Sequence, residues 1–276
     1  MGFSFDEWFR LLSTKNDVAA EKYRASFMPD YVYKFVSLFE EKTDDDIKKN
    51  KKRFNSLAEN KVWYSLPEKL NDPYEMKGFY FDRDKLIENG YPKEAVDILT
   101  DLLMKTPVVS FTSNIENNLP MWAHYSNNHK GFAIKYKVNN KYSIRKVIYL
   151  EEIFDATKLF THFLGYSGVI EKSQKNEDLK CILYLSSVLQ MIFFSKHISW
   201  QYENEYRSLY LDEFIDPLVS AGLNVNAADV NLEPIAVYAG IKCSEEHKKR
   251  LQQISNTLGI EFYCCKQSDR YFTVIE

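Results

Sequence analysis

The sequence predicts a single α+β domain over residues 1–276, in which helices flank a β core. Hydrophobic residues make up 45% of the chain and aromatic residues 15%, which supplies a large core and argues against disorder. β-branched and aromatic runs of strand length alternate with segments of helical spacing. The chain holds only 9 Gly and 8 Pro, which argues against a sandwich with many tight turns. No internal repeat and no flexible linker divides it.

The N-terminal segment begins with helices and then enters the β core. Apolar residues at helical spacing predict helices between residues 5 and 27, so residues 1–28 form an N-terminal helical elaboration. Pro29 ends the second helix, and the aromatic and β-branched run 31–36 predicts a strand. Thr43 and the three aspartates after it predict a helix start, because acids favour the positive end of the helix dipole.

The rest of the chain alternates between strands and helices. Asn71-Asp72-Pro73 is a turn-forming run, which predicts a structured loop over residues 66–75. The predicted elements are strands over 62–65, 107–112, 131–136, 147–149 and the second half of 199–210, helices over 84–89 and 92–104, a mostly helical insert over 155–197, and finally strand 236–241, helix 244–258, strand 260–266 and strand 271–275.

Charge and cysteine usage narrow the class of protein. A formal net charge of −3 does not indicate a generally basic nucleic-acid binder. Four cysteines without C-x-x-C spacing indicate reduced thiols in the cytoplasm. The N-terminus has no apolar signal sequence, and the most apolar run, 182–194, is shorter than the ~20 residues of a membrane span. We therefore expect a cytoplasmic protein without a membrane partner.

Several common active-site motifs are absent from the sequence. It contains no phosphate-binding loop, no G-x-G-x-x-G and no G-x-S-x-G, so kinase, Rossmann and serine-hydrolase functions lose their main support. His124 and His129 lie five apart with no third histidine or cysteine nearby, so no metal site is predicted.

A basic run follows the acidic start of the helix near residue 44. It comprises Lys48, Lys49, Lys51, Lys52 and Arg53. Such a run is either a solvated helix face or a surface for nucleic acid or an acidic partner, and the sequence leaves both alternatives open.

Three clusters combine aromatic and charged side chains at strand ends or in adjoining loops, where functional sites are usually found. The first comprises Tyr33-Lys34-Phe35, Trp63-Tyr64-Ser65 and Asn71 to Glu75, the second is the run from Trp122 to Lys130, and the third is the run from Trp200 to Arg207.

Carboxylates in the third cluster have the spacing of one strand face. Glu203, Glu205 and Arg207 alternate, so on a strand they would share a face. The set is either a surface charge ladder or a site for an acid and an anion. A close pair of carboxylates perturbs the pKa of at least one member, which a catalytic acid or base requires.

The order of these motifs resembles the bacterial domain-of-unknown-function family numbered 2971 over about residues 31–210. More distantly, the layout is similar to ADP-ribosyltransferase-like folds, which have a split mixed or antiparallel β core. In those folds an early strand residue grips NAD ribose, an aromatic strand stacks the nicotinamide, and a late glutamate acts on the reacting sugar. Where they usually carry Arg or His on the first strand, this chain has Lys34.

The resemblance implies NAD as a substrate and gives roles to the clustered residues. It implies a late catalytic carboxylate, which is either Glu205 or Glu203. Glu205 is the first choice, and Glu203 would then orient it or raise its pKa. The implied NAD contacts are Tyr33, Lys34, Tyr64, Ser65, Asn71, Trp122, His124 and Tyr125, and the implied acceptor contacts are His129, Lys130 and Arg207, with His124 also placed to hold phosphate or the acceptor.

The sequence leaves the acceptor and several alternative functions of these residues open. The acceptor would be a nucleic acid or a protein, in a toxin or phage-defence effector. A non-catalytic module of a defence or toxin–antitoxin system would instead bind nucleic acid, a protein or an antitoxin. A metal-dependent nuclease would use Asp72, Glu75, Glu203 and Glu205. In a purely structural reading, Trp122 and Tyr125 are core residues and Glu205 with Arg207 is a surface pair.

Overall fold

A computed structural model describes residues 3–13, 17–77, 79–94, 96–97, 105–116, 118–157, 193–210, 221–269 and 274–275. Within these residues the helices are α1 (Phe5–Ser13), α2 (Asp17–Ser26), α3 (Asp44–Ala58), α4 (Arg83–Glu88), α5 (Leu119–Tyr125) and α6 (Glu245–Leu258). The strands are β1 (Tyr31–Val36), β2 (Lys61–Ser65), β3 (Phe79–Tyr80), β4 (Val108–Thr112), β5 (Phe132–Val138), β6 (Arg145–Lys146), β7 (Ile148–Leu150), β8 (Phe154–Asp155), β9 (Ser195–His197), β10 (Glu205–Leu209), β11 (Gly222–Asn226), β12 (Leu232–Ala239), β13 (Glu261–Cys264), β14 (Lys266–Gln267) and β15 (Val274–Ile275).

The chain divides into two compact units, each built from three segments. Unit 1 comprises Met1–Met28, Leu66–Pro107 and Arg145–Trp200, and unit 2 comprises Pro29–Ser65, Val108–Ile144 and Gln201–Glu276. The predicted α+β class is confirmed, because a mixed sheet occurs together with several helices. The single-domain organisation and the ADP-ribosyltransferase-like type of the core stay predictions.

Unit 2 is organised around a sheet with the strand order β11-β2-β4-β1-β5-β12-β13, and β10 pairs with β4. Neighbouring strands are antiparallel except β12 and β13, which are parallel. β4 meets β1 through Tyr33 and Thr112, and it meets β2 through Ser65 and Val108. Two strands therefore join β4 at its opposite ends, so the sheet forks there.

Helices pack on both faces of this sheet. On one face, which we call the α5 face, Trp122 of α5 packs with Ala133, Ala236 and Tyr238. On the other, the α3/α6 face, the Phe54 ring stacks on Phe132, with ring centroids 6.5 Å apart. Alternate residues of a strand point to opposite faces, so every side chain in the sheet belongs to one of these two layers.

Local sequence explains the two long helices. The hydroxyl of Thr43 accepts a hydrogen bond from Asp46 N at 3.1 Å and caps α3. Ser244 caps α6 in the same way, and Gly259 ends that helix with φ +68°, a left-handed conformation that glycine adopts without strain. The predicted helix starts at Thr43 and Ser244 are therefore confirmed.

Unit 1 contains α1, α2, α4 and several short strand pairs. Trp8 and Ala20 form the buried contact between α1 and α2. The pairs β3 with β8 and β7 with β9 are both parallel. No helix in the part of the chain that the structure describes is long and apolar enough to cross a membrane.

Most predicted strands of unit 2 occur where they were expected. Strand 31–36 has the predicted bounds, and strands β2, β4 and β5 fall within one or two residues of theirs. Strand β11 was not predicted, because its sequence Gly-Leu-Asn-Val-Asn carries little β-branched or aromatic content. Most of the predicted insert 155–197 and most of helix 92–104 lie outside the described residues, while residues 195–197 form strand β9 and not helix.

Candidate functional site

A charged pair is buried on strand β10 of unit 2. The Arg207 guanidinium donates from Nε to Glu205 Oε1 at 2.7 Å and from Nη2 to Glu205 Oε2 at 3.1 Å. Only 2% of Glu205 and none of Arg207 is exposed. The two side chains therefore share a strand face as the sequence predicts, but the pair is a buried bidentate ion pair and not a surface ladder.

Glu203 reaches the same region from outside the strand. It ends a 3₁₀ helix, and Asn204 has φ 42°, so the chain turns sharply before β10 begins at Glu205. The prediction that Glu203 and Glu205 alternate along one strand is therefore wrong. The Asn204 side chain donates to the Ser113 hydroxyl, which stabilises the turn.

The hydroxyl of Tyr125, at the end of α5, donates a hydrogen bond to buried Glu203. The pKa of Tyr125 is raised, first by burial and then by the negative charges of Glu203 and Glu205. Tyr125 therefore stays protonated and remains a hydrogen-bond donor. α5 thus brings a phenol to two carboxylates, and the four side chains of Tyr125, Glu203, Glu205 and Arg207 form what we call the acidic cluster.

Strand register places Tyr33 and Thr112 in one row with Glu205 of the acidic cluster. Thr112 pairs with Tyr33 on one side and with Glu205 on the other, so all three point to the α5 face. Ser110 pairs with Arg207 in the next row. From the sequence, Ser110 and Thr112 were predicted only as part of a strand. Their alternation is the signal that could have identified them, because it puts both hydroxyls on one face.

His124 marks the exposed edge of the acidic cluster. Its Nδ1 lies 3.0 Å from the Tyr202 hydroxyl, one residue before Glu203. The Asn118 amide donates to the Tyr202 carbonyl at 2.7 Å, so the residues before and within α5 hold this segment at two points. His124 is thus the predicted site residue that combines exposure with proximity to the carboxylates.

The loop after α5 has an unusual backbone. Asn127, Asn128 and His129 all have positive φ, between 52° and 68°. The Asn127 side chain donates to Leu38 O at 2.8 Å, which ties the loop to the end of β1. Lys130 pairs with Glu40. Consecutive left-handed residues cost free energy and are typical of functional loops, although here the loop also turns the chain into β5.

Trp122 and His129, both predicted to bind ligand, stack on each other. Their ring centroids are 6.1 Å apart, and Trp122 is fully buried, with its indole N–H donating to Ile115 O at 3.0 Å. The pKa of His129 is lowered, chiefly by burial and also by Lys242, so this imidazole is neutral near pH 7. The structure therefore places Trp122 in the core, where its ring packs against Phe35 and offers no open stacking face.

The residues predicted on the first two strands fall on different faces. Lys34 pairs with Ile134, and it alternates with Tyr33, so Lys34 points to the α3/α6 face, away from Glu205. Tyr64 also lies on that face, where its hydroxyl donates to Ser208 at 3.1 Å. Ser65 lies on the α5 face but at the far end of β4 and accepts from the Trp63 indole N–H. The sequence could not assign these residues to faces. Alternation shows which residues of a strand share a face, but it does not show on which side of the sheet that face lies.

Lys34 is half-buried, and burial lowers its pKa from 10.5 to about 8. No residue described in the structure forms an ion pair with it. Below pH 8 the amine is charged in both folded and unfolded chains, so the full cost of burying the charge is present. Between pH 8 and 10.5 the folded chain loses this proton first, and the free energy of unfolding therefore rises.

We therefore expect Lys34→Met to raise the free energy of unfolding at pH 7 by more than about 1 kcal/mol. This gain should shrink between pH 8 and 10.5. Urea unfolding across that range measures it, and the matched control is Lys137→Met, at an exposed position of β5. If the gain for Lys34→Met were absent at pH 7, or grew with pH, the charged Lys34 amine would not carry the cost of burial described above.

The remaining predicted site residues belong to unit 1. Asn71 is exposed, and Asp72 Oδ1 accepts from Tyr74 N at 2.9 Å, as the predicted turn requires. Glu75 lies 3.9 Å from the amine of Lys196, and both are buried. No group of three or more metal-ligating side chains occurs in the described ranges, so the nuclease alternative gains no support there.

The fold and the site together define an α+β protein whose forked sheet carries a buried carboxylate–guanidinium cluster. Residues 121–208 match the model of a family described as protein of unknown function (DUF2971). The match covers roughly a third of the chain and supports the predicted resemblance to that family. It runs from α5 to β10 and so includes all four residues of the acidic cluster. No curated protein and no solved structure matches the chain.

Proposed function

We propose that unit 2 is an ADP-ribosyltransferase-like enzyme that cleaves the nicotinamide–ribose bond of NAD at the acidic cluster. One observation supports this most: Tyr33, Thr112 and Glu205 lie in one row across three paired strands. An early strand residue and a late glutamate on the same face is the arrangement that the resemblance implies. The acceptor of the ADP-ribosyl group is a nucleic acid or a protein.

The chemistry requires a fixed negative charge near the reacting sugar. Loss of nicotinamide develops positive charge at the anomeric carbon, as in glycoside hydrolysis. In this proposal Glu205 stabilises that charge. Arg207 holds the carboxylate in one orientation before the substrate arrives, so little reorganisation is needed in the transition state.

The neighbouring residues have supporting roles. Thr112 and Tyr33 are the hydroxyl-bearing side chains in the row with Glu205 and would contact ribose. Tyr125 keeps Glu203 hydrogen-bonded and in place. His124, at the exposed edge, would face the phosphates or the acceptor. Lys34 has no role in the proposed reaction, since it points to the other face of the sheet.

The test is release of nicotinamide from NAD, measured with candidate nucleic-acid and protein acceptors. We expect release by the wild-type protein and a loss of about 100-fold or more in Glu205→Gln, which keeps the shape but removes the charge. Glu233→Gln, an exposed carboxylate on β12, is the matched control and should retain full activity. Absence of release by the wild type, or equal release by Glu205→Gln, would overturn the proposal.

A further inference from the structure

Helices α3 and α6 lie side by side on the α3/α6 face of unit 2. The Arg250 guanidinium of α6 lies 4.3 Å from the centroid of the Phe54 ring on α3. The His247 ring lies 5.6 Å from the same ring, and His247 Nε2 is 3.5 Å from Asn50 Nδ2. These contacts are buried in part and join the two helices into one outward surface.

The charges on these helices are sorted along their length. Acids occupy only the first turns, at Asp44, Asp45 and Asp46 in α3 and at Glu245 and Glu246 in α6, where they complement the helix dipoles. Residues 47–58 and 247–258 contain no acid at all. Beyond its first turn, each helix therefore presents only positive charge.

Several of the basic side chains are exposed, and only some of them form ion pairs with residues that the structure describes. Lys49 pairs with Asp45 at 2.6 Å and Lys248 with Glu245 at 2.7 Å, each within its own helix. Four further exposed lysines form no ion pair with any residue that the structure describes, and these are Lys48, Lys51, Lys52 and Lys249. A positive surface persists although the whole chain has a formal net charge of −3.

The chemistry of this surface favours a polyphosphate over a protein partner. Protein interfaces are built around buried aromatic or aliphatic anchors. On α3 and α6, which the structure describes completely, Ile47 is the large apolar side chain that is exposed. Lysines are mobile point charges that suit contacts with phosphate groups and carry no base specificity.

We propose that the outward side of α3 and α6 binds the phosphodiester backbone of a nucleic acid without sequence preference, through Lys48, Lys51, Lys52 and Lys249. This surface is separate from the acidic cluster, which lies on the other face of the sheet. Binding here does not depend on cleavage of NAD.

Salt-dependent binding tests this proposal. Anisotropy of labelled 20-nucleotide single-stranded DNA of mixed sequence should show binding by the wild-type protein, with a slope of log K against log salt of about −3. Replacing the four lysines by glutamine should lower the affinity more than tenfold and bring the slope close to zero. A probe of different sequence should give the same affinity within about twofold.

The matched control replaces four exposed lysines elsewhere, which are Lys69, Lys77, Lys93 and Lys137. It changes the net charge equally and should retain most of the affinity and the slope. All eight positions are exposed, and thermal unfolding verifies that both variants fold. Absence of binding by the wild type, equal losses in the two variants, or stronger binding of polyglutamate than of DNA would each overturn the proposal.

Discussion

Arg207→Ala is expected to lower the free energy of unfolding by about 3–5 kcal/mol, because it leaves a buried carboxylate without its cation. Glu205 is 2% exposed, and both of its oxygens accept from the guanidinium. Urea unfolding at pH 7 measures the loss.

Two further variants distinguish the cost of breaking the buried ion pair from the cost of removing a charge in general. Lys137→Ala breaks an exposed contact with Glu233 at 3.8 Å and should cost less than about 1 kcal/mol. The double variant Glu205→Leu with Arg207→Met should recover much of the stability, since a buried ion pair and apolar residues of similar volume are often equivalent. If Arg207→Ala cost no more than Lys137→Ala, the buried pair would not be as described.

Gly131→Ala should destabilise the protein by at least about 3 kcal/mol. A Cβ at this position would lie 2.0 Å from Val36 O and 3.0 Å from Ser126 O, both of which are backbone atoms. Gly131 O also accepts a hydrogen bond from Gly240 N at 2.9 Å, so Gly131 is held close to the backbone at Gly240 as well. The neighbouring backbone belongs to β1 and the loop after α5, and it cannot move without disrupting the sheet.

Gly259→Ala provides the matched control. That residue has φ +68° and open space around its Cβ position. Alanine there should therefore destabilise the protein only through the left-handed backbone conformation, by about 1 kcal/mol. Thermal and urea unfolding of the two alanine variants measures the difference. Equal losses at the two positions would show that the contact around Gly131 is looser than the structure indicates.

Local sequence was sufficient to predict much of unit 2. The strand 31–36 and the helix starts at Thr43 and Ser244 follow from β-branched content and capping residues, which act within a few positions. The shared face of Glu205 and Arg207 follows from strand alternation alone. These features could be predicted because each depends on neighbouring residues in the chain.

The rest depends on contacts between distant segments. Tyr125 and Glu203 are 78 positions apart, and nothing in either segment predicts their hydrogen bond. The row of Tyr33, Thr112 and Glu205 depends on strand register, which sequence patterns specify only weakly for short strands. The resemblance implies roles for both Lys34 and Glu205 at the NAD site, but the two lie on opposite faces of the sheet, since a shift of one residue reverses every face.

Ligand-dependent hydrogen exchange tests most directly our proposal that NAD binds at the acidic cluster on the α5 face. We expect NAD to slow amide exchange in peptides covering residues 118–126 and 203–210, and to leave 44–58 and 245–258 unchanged. Glu205→Gln should weaken that protection. Exchange that NAD does not alter, or protection confined to the two helices of the opposite face, would contradict NAD binding at the acidic cluster.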